Sequence, residues 1–110
     1  MEQQALSSIE KTLIKEQITE QIRTVYDPEI PVDVYELGMI YNIEVKDDGM
    51  VDVTMTLTSP ACPAAQIIPG EVKMKSERVP GVKEATVEVV WEPRWEPSMM
   101  SEEARLTLGM

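Results

Sequence analysis

The sequence predicts an α+β fold, a two-layer sandwich in which helices cover one face of a small three-stranded sheet. Three observations indicate this class: a helical apolar stripe comes first, two alternating runs joined by an Asp-Gly turn follow, and a second helical segment leads into a third alternating run. The expected order is α-β-β-α-β with a short C-terminal helix. The 110 residues suffice for a single domain with one modest core. We expect residues 1–17 to be a variable N-terminal helix extension and residues 91–110 to form a tail that packs on the core.

The first helix is expected over residues 8–25. Ser7 and Glu10 have the spacing of a capping box at its start. Proline disfavours helical geometry in the residue before it, so Asp27-Pro28 should end the helix. The apolar residues expected on its buried stripe are Ile9, Leu13, Ile18, Ile22 and Val25.

Two strands follow a proline-interrupted loop at residues 29–38, and period-two alternation defines their faces. The expected buried side chains are Tyr41, Ile43 and Val45 in the first strand, and Val51, Val53, Met55 and Leu57 in the second. Between the strands, Asp48-Gly49 favours a tight hairpin because glycine readily adopts the positive φ that such turns need.

A second helix is expected over residues 63–78, with Pro63 in its first turn. Pro69 conflicts with a straight helix, since an interior proline removes a hydrogen bond and costs about 3 kcal/mol. We therefore expect a kink or two short helices at that point. The side chains expected to be buried are Ala64, Ile67, Ile68, Val72 and Met74.

Pro80-Gly81 should end this helix, and residues 82–91 are predicted to form the third strand. The side chains expected on one face of that strand are Val87, Val89 and Trp91. If the second and third strands pair in parallel, the helix between them should form a right-handed crossover. Ser101 is the expected N-cap of a short final helix, because two glutamates follow it in the first turn. Trp91 and Trp95 either pack back over the core or form a contact for a partner protein.

Composition excludes several classes of function. Acidic residues outnumber basic residues 20 to 10, giving a formal net charge of -10, so nucleic acids and anionic membrane surfaces are not expected as partners. The chain contains no histidine, which rules out His-dependent triads, Cys-His dyads and His-ligated zinc sites within one chain. It also lacks a phosphate-binding glycine motif. The short apolar runs and the absence of a signal peptide predict a soluble cytoplasmic protein, and a single cysteine fits a reducing compartment.

Cys62 is the most informative residue, because it stands between a strand-like run and a helix-like run. Unpaired backbone N–H groups at a helix start stabilise a thiolate and lower its pKa, which would make this cysteine reactive. The alternative is structural, since a free cysteine often behaves as a small buried hydrophobe. Local spacing leaves both interpretations open.

Several strings along the chain together resemble the iron-sulfur cluster assembly family of SufT-like and PaaD-like small proteins, with the SufT type most similar. They are DPEIPV at 27–32, ELGMIY at 36–41, TLTSPACP at 56–63, VWEP at 90–93 and MSEEA at 100–104. The resemblance covers residues 18–110. It implies a non-enzymatic accessory factor in the maturation of iron-sulfur proteins, with iron-sulfur assembly proteins and apo-protein clients as partners. In the wider family such domains are fused to, or work beside, a P-loop ATPase carrier.

The resemblance also assigns candidate site residues. It implies that Cys62 binds a metal or a transient iron-sulfur cluster, and thiolate is the soft ligand that such cargo prefers. Glu36 is the candidate second ligand or proton handler. Thr58 either donates to the sulfur or caps the following turn, and Asp27 either supports the site or orients the turn at Pro28.

One thiolate and one carboxylate are fewer than the four protein ligands that a cluster ordinarily takes. Three solutions remain open: two chains share the cluster as a homodimer, a small thiol or a client supplies the missing ligands, or the cluster is never held tightly. Two other functions also remain open. The chain could be an adaptor that binds no metal and positions clients through Trp91, Trp95 and its acidic surface, or a thiol enzyme or redox sensor. The last is the weakest, since neither a histidine nor a resolving cysteine is present.

Overall fold

The computed structural model describes residues 6–27, 30–58 and 64–109, with side chains in the last range described from residue 67 onward. Its helices are α1 (Ser8–Ile22), α2 (Ala64–Glu77) and α3 (Glu102–Thr107), and its strands are β1 (Ile40–Val45), β2 (Met50–Met55) and β3 (Glu84–Val89). A 3₁₀ turn at Pro97–Met99 precedes α3. This order confirms the predicted α+β class and the α-β-β-α-β arrangement with a short C-terminal helix.

The sheet has the order β1-β2-β3, with β1 antiparallel to β2 and β2 parallel to β3. The predicted hairpin joins β1 to β2, and Gly49 in its turn has a φ of +89°. Ile43 lies opposite Val53, which in turn lies opposite Val87. The inward face carries the core side chains, while the alternate positions of β1 carry exposed polar residues, as the alternation predicts.

The start of α1 agrees with the sequence, but its end and its buried face do not. Ser7 Oγ accepts from the Glu10 N–H at 3.1 Å and Glu10 Oε1 accepts from the Ser7 N–H at 3.0 Å, which confirms the capping box. The helix ends at Ile22, ahead of the expected stop at Asp27, because the Thr24 and Val25 N–H groups bond the carbonyls three residues back in a tight turn.

Two residues expected on the buried stripe of α1 lie on the opposite face. Ile9 is 73% exposed and Leu13 is 52% exposed, whereas Ile14, Ile18 and Ile22 face the core. Ile9 precedes Ile18 by nine residues, which at about 3.6 residues per turn places it half a turn away, on the other side of the helix. The prediction missed Ile14, which shares a face with Ile18 at a spacing of four.

The second helix is continuous across Pro69, so of the two expected outcomes the pair of short helices is wrong, and the kink stays a prediction. Burial of Ile68 and Val72 on either side of Pro69 stabilises the helix against the lost hydrogen bond. Ile67 and Met74 were expected to be buried but are 55% and 48% exposed, because the core face follows the four-residue spacing of Ile68, Val72 and Ser76. The expectations for Pro63 and for the Ala64 side chain lie outside the described residues.

The third strand is shorter than expected and ends at Val89. Ala85 is fully buried, Val87 and Val89 are half-buried, and Trp91 lies beyond the strand with 42% of its surface exposed. Two side chains of α2 bond the outer edge of β3: Lys73 Nζ donates to the Ala85 carbonyl at 2.7 Å, and the Ala85 N–H donates to Glu77 Oε2 at 3.1 Å. These bonds hold α2 against the sheet.

Candidate functional site

Three segments of the chain meet at one end of the sheet, where β1 begins and where β2 and β3 end. The Thr56 N–H donates to the Met39 carbonyl at 2.8 Å, and the Val90 N–H donates to the Met55 carbonyl at 2.8 Å. We call this end, defined by Met39, Thr56 and Val90, the loop end of the sheet. The loop before β1, the segment after β2 and the tail after β3 all start or finish there.

The loop before β1 has a defined local structure. Asp33 Oδ2 accepts from the Tyr35 N–H at 3.1 Å and from the Glu36 N–H at 3.0 Å, and the Asp33 carbonyl accepts from the Leu37 N–H at 3.0 Å. Gly38 then reverses the chain toward β1 with a φ of +80°, a conformation that favours glycine. These bonds hold the backbone at Glu36 and at the residue that follows it.

Glu36 connects the C-cap residue of α1, Arg23, to the N-cap residue of α3, Ser101. Its side chain is only 19% exposed, with Oε2 3.8 Å from Nη2 of Arg23. Its Oε1 accepts from the Ser101 hydroxyl at 3.0 Å, and its carbonyl accepts from the Ser101 N–H at 2.8 Å. Arg23 also lies over the ring of Tyr35, 5.0 Å from its centre. Both carboxylate oxygens of Glu36 therefore have partners within the chain.

The remaining candidate residues are distributed around the same region. Thr58 is exposed and follows the Thr56 hydrogen bond by two residues, so it lies near the loop end. Asp27 is buried, and its carbonyl accepts from the Ile30 N–H at 3.3 Å. Cys62 lies outside the described residues.

The tail after β3 returns to the loop before β1. Trp95 Nε1–H donates to the Leu37 carbonyl at 2.7 Å, and the Tyr41 hydroxyl donates to the Pro93 carbonyl at 2.7 Å. Met100 is buried in the core, whereas Trp91 remains largely exposed. The two tryptophans thus differ, since one bonds the loop and the other is available to solvent.

Sequence reasoning identified Ser101 only as a helix cap. Its side chain does accept from the Ala104 N–H at 3.1 Å, which confirms the cap, but the same hydroxyl donates to Glu36. Arg23 was not singled out at all. No local signal could have found either contact to Glu36, because both depend on how distant segments pack.

The described part of the chain contains no group of three or more Asp, Glu or Cys side chains placed to hold a metal ion. Within the same residues, no helix is both long enough and apolar enough to cross a membrane.

Comparison with known proteins places the chain among iron-sulfur assembly factors. The profile of a family described as "Iron-sulfur cluster assembly protein" matches residues 15–89. An Fe-S protein maturation auxiliary factor of Porphyromonas gingivalis is 58% identical over 95 residues, covering 86% of this chain and 90% of the relative. The Staphylococcus aureus auxiliary factor SufT is 40% identical over 86 residues, covering 78% of this chain and 98% of the relative.

Longer relatives match over a small part of their length. A Synechocystis protein named as an iron-sulfur cluster carrier is 33% identical over 78 residues, which is 71% of this chain but 22% of the relative. Among solved structures, a domain of unknown function from Bacillus anthracis superposes with a TM-score of 0.87 at 33% identity, covering 94% of this chain and 99% of that one. A conserved hypothetical protein from Thermotoga maritima gives a TM-score of 0.75 at 30% identity, covering 99% of this chain and 100% of that one.

Proposed function

This chain belongs to the iron-sulfur cluster assembly protein family, and we propose that it is an accessory factor in the maturation of iron-sulfur proteins. Relatives named as maturation auxiliary factors match it over nearly their whole length, so the role applies to the full domain. Their names describe auxiliary or carrier factors, which supports a non-enzymatic role. In this proposal the chain works in the cytoplasm and handles iron or a cluster transiently through Cys62.

The observation that carries the proposal is the meeting of three segments at the loop end of the sheet. Cys62 follows Thr58 by four residues and precedes the first residue of α2 by two. The chain leaves β2 at the loop end, and the Glu36 loop and the tail bond each other beside it. A cysteine between that strand and that helix would be close to unpaired backbone N–H groups, which favour the thiolate that binds iron.

Glu36 is the proposed second ligand or proton handler. Ser101 and Arg23 hold its carboxylate, so it would bind cargo only by exchanging one of these contacts. Thr58 is proposed to donate to the sulfur, and Asp27, which is buried, is proposed to support the loop. Because these residues supply fewer than four ligands, the cargo would be bound weakly and passed on.

Two sources of the missing ligands distinguish versions of this proposal. Two chains could share one cluster, or the client that receives it could supply its own cysteines. The match to longer proteins named as iron-sulfur cluster carriers supports a carrier protein as a further partner. We propose that this carrier is a P-loop ATPase beside which the domain acts. The proposed assembly partners and apo-protein clients are common to both versions.

An adaptor that binds no metal is the second candidate. It is favoured by the exposure of Trp91, a large aromatic side chain of the kind enriched at protein interfaces. In this case Trp91 and the neighbouring Trp95 would contact assembly proteins, and Cys62 would only pack. Replacing Trp91 with alanine should then abolish co-purification of the chain with those proteins, while a retained contact would count against the adaptor.

Anaerobic reconstitution with iron and sulfide tests the carrier. Wild type, Cys62→Ala and Met74→Ala are compared by bound iron, bound sulfide, visible absorption and mass in solution. Met74→Ala is the matched control because it removes a different, exposed sulfur from the C-terminal half of α2. We expect cluster in wild type and in the control, none in Cys62→Ala, and at least tenfold weaker iron binding in Glu36→Gln.

The mass also separates the two sources of ligands, since one cluster per two chains indicates a shared site. Folded wild-type protein that takes up no iron under these conditions would contradict the carrier and favour the adaptor. Retained cluster in Cys62→Ala would show that other residues hold the cargo.

A further inference from the structure

A groove of about 400 Å³ runs between the segment that follows α1 and the helix α3. One wall contains Tyr26, Pro31 and Asp33, and the other contains Glu103 and Leu106, with Glu36 between them. We propose that this groove binds a cationic segment of a partner protein, in which an arginine or lysine alternates with an apolar residue. The volume is in the range of pockets that accommodate a few side chains.

The first argument is charge. Asp33, Glu36 and Glu103 contribute carboxylates to the lining, and the described residues that line the groove include no lysine or arginine. Arg23 Nη2 lies 3.8 Å from Glu36 Oε2 and partly neutralises that carboxylate, whereas Arg105 Nη2 donates to the Ser98 carbonyl at 2.6 Å. The three carboxylates of the lining still outnumber the one arginine that faces them, so the groove would attract a positively charged side chain from outside.

The second argument is the apolar surface at the rim. Leu106 is 71% exposed and Tyr26 is 55% exposed, although large apolar side chains are stabilised by burial. The aliphatic stem of an arginine or lysine can cover such surface while its charged end reaches a carboxylate. A segment that alternates cationic and apolar residues matches both features of the groove.

A second copy of this chain is a poor occupant, because each copy has a formal net charge of -10 and like charges would repel. The first five residues of this chain do not suit the groove either, since they contain a glutamate and neither lysine nor arginine. The Leu6 N–H bonds the Asp47 carbonyl in the hairpin turn, at the end of the sheet opposite the loop end. A partner protein is the occupant that the charge favours.

Glu36 belongs to both the groove and the proposed cargo site. A segment bound in the groove would consequently lie beside the loop end, where the thiol of Cys62 is proposed to act. The identification of the partner as a client of iron-sulfur maturation rests on the proposed function. The binding of a cationic segment to the groove does not depend on that function.

Fluorescence anisotropy with a defined probe tests the groove. The probe is a labelled peptide in which arginine and leucine alternate over seven residues, and the control peptide carries glutamate in place of arginine. We expect saturable binding of the arginine peptide to the full chain, weakening as salt rises from about 50 to about 300 mM, and none of the glutamate peptide.

Charge reversal at neighbouring positions of α3 supplies the matched pair of variants. Glu103→Lys and Glu102→Lys make the same change in net charge, and both residues lie in the first turn of α3. Of the two, only Glu103 lines the groove. We expect a dissociation constant at least tenfold higher for Glu103→Lys and less than twofold higher for Glu102→Lys, with Leu106→Ala about threefold higher.

Four results would overturn the inference. Equal weakening by the two lysine variants would mean that binding follows net charge, and no binding at about 1 mM peptide would mean that the groove lacks affinity for cationic segments. Self-association of the chain that depends on Leu106 would make a second copy the occupant. The Cys62→Ala variant should bind the peptide like wild type whether or not the proposed cargo site is correct, and loss of binding there would locate the peptide elsewhere.

Discussion

Replacing Gly38 with alanine should destabilise the protein by about 3 kcal/mol, because the loop before β1 and the C-terminal tail are in direct backbone contact at this residue. The φ of +80° costs a residue with a Cβ roughly 1–2 kcal/mol. That Cβ would also overlap the Met99 carbonyl oxygen and lie 2.8 Å from its carbonyl carbon, so the tail must move. Overpacking of this kind typically costs about 1–3 kcal/mol.

The displacement should be visible beyond the loss of stability. Trp95 donates to the Leu37 carbonyl, next to Gly38, and Ser101 donates to the Glu36 carbonyl. Moving the tail should weaken both bonds, so we expect the tryptophan fluorescence of Gly38→Ala to shift to longer wavelength in the native state. The same variant should weaken the hold of Ser101 on the Glu36 side chain.

Gly81→Ala is the matched control for this experiment. Gly81 has a φ of +97°, and an added Cβ would meet the Cδ1 and Cγ1 atoms of the Ile14 side chain, the closer at 3.0 Å, which a small shift of that side chain relieves. The main cost should therefore be the backbone conformation, roughly 1–2 kcal/mol. Urea unfolding measures both variants, and a difference of about 2 kcal/mol corresponds to roughly 10 °C in Tm. Equal losses, or an unshifted spectrum for Gly38→Ala, would refute the role assigned to the Met99 contact.

Two further predictions concern α2. Ser76→Ala should raise the free energy of unfolding by about 1 kcal/mol, because Ser76 Oγ is fully buried without a hydrogen-bond partner among the described residues and alanine favours the helix. Urea unfolding measures this free energy, and a lower value for the variant would show that the hydroxyl is needed. The Lys73 ammonium and then the Ala85 N–H lower the pKa of Glu77 below its ordinary value of 4.5. The resulting stabilisation is complete at pH values above 4.5 and is lost as the pH falls through the folded pKa. The free energy of unfolding of wild type should therefore exceed that of Glu77→Gln at pH about 7, and the two values should converge in strong acid. A gap that persists there would contradict this linkage.

The parts of the fold that were predicted correctly depend on short-range signals. The Asp48-Gly49 turn, the alternation in β1 and β2, and the caps at Ser7 and Ser101 involve neighbours along the chain, so their chemistry is readable from a few residues. The burial of α1 was predicted less well because this helix carries apolar residues on two faces. Ile9 and Ile18 lie on opposite faces of the helix, and each could belong to an apolar stripe. Packing against the sheet decides which of the two faces is buried.

The candidate site also has residues that a local motif predicts and contacts that only tertiary packing creates. Motif resemblance located Cys62 and Glu36 along the chain, since a family string is a local property of the sequence. The bond between Glu36 and Ser101 joins residues 65 positions apart, and the bond between Trp95 and Leu37 joins residues 58 positions apart. Contacts at such separations form only when the whole core closes, and no local pattern specifies them.

The sequence by itself determined the order of helices and strands, the hairpin, the family and the identity of the candidate thiol, because each depends on residue type and short spacing. Only the tertiary structure decided which helix faces are buried, that Glu36 is held between Arg23 and Ser101, and that the segment after α1 and α3 enclose an acidic groove. These features result from packing distant segments into one core, where the burial of apolar surface and the pairing of buried polar groups select a single arrangement.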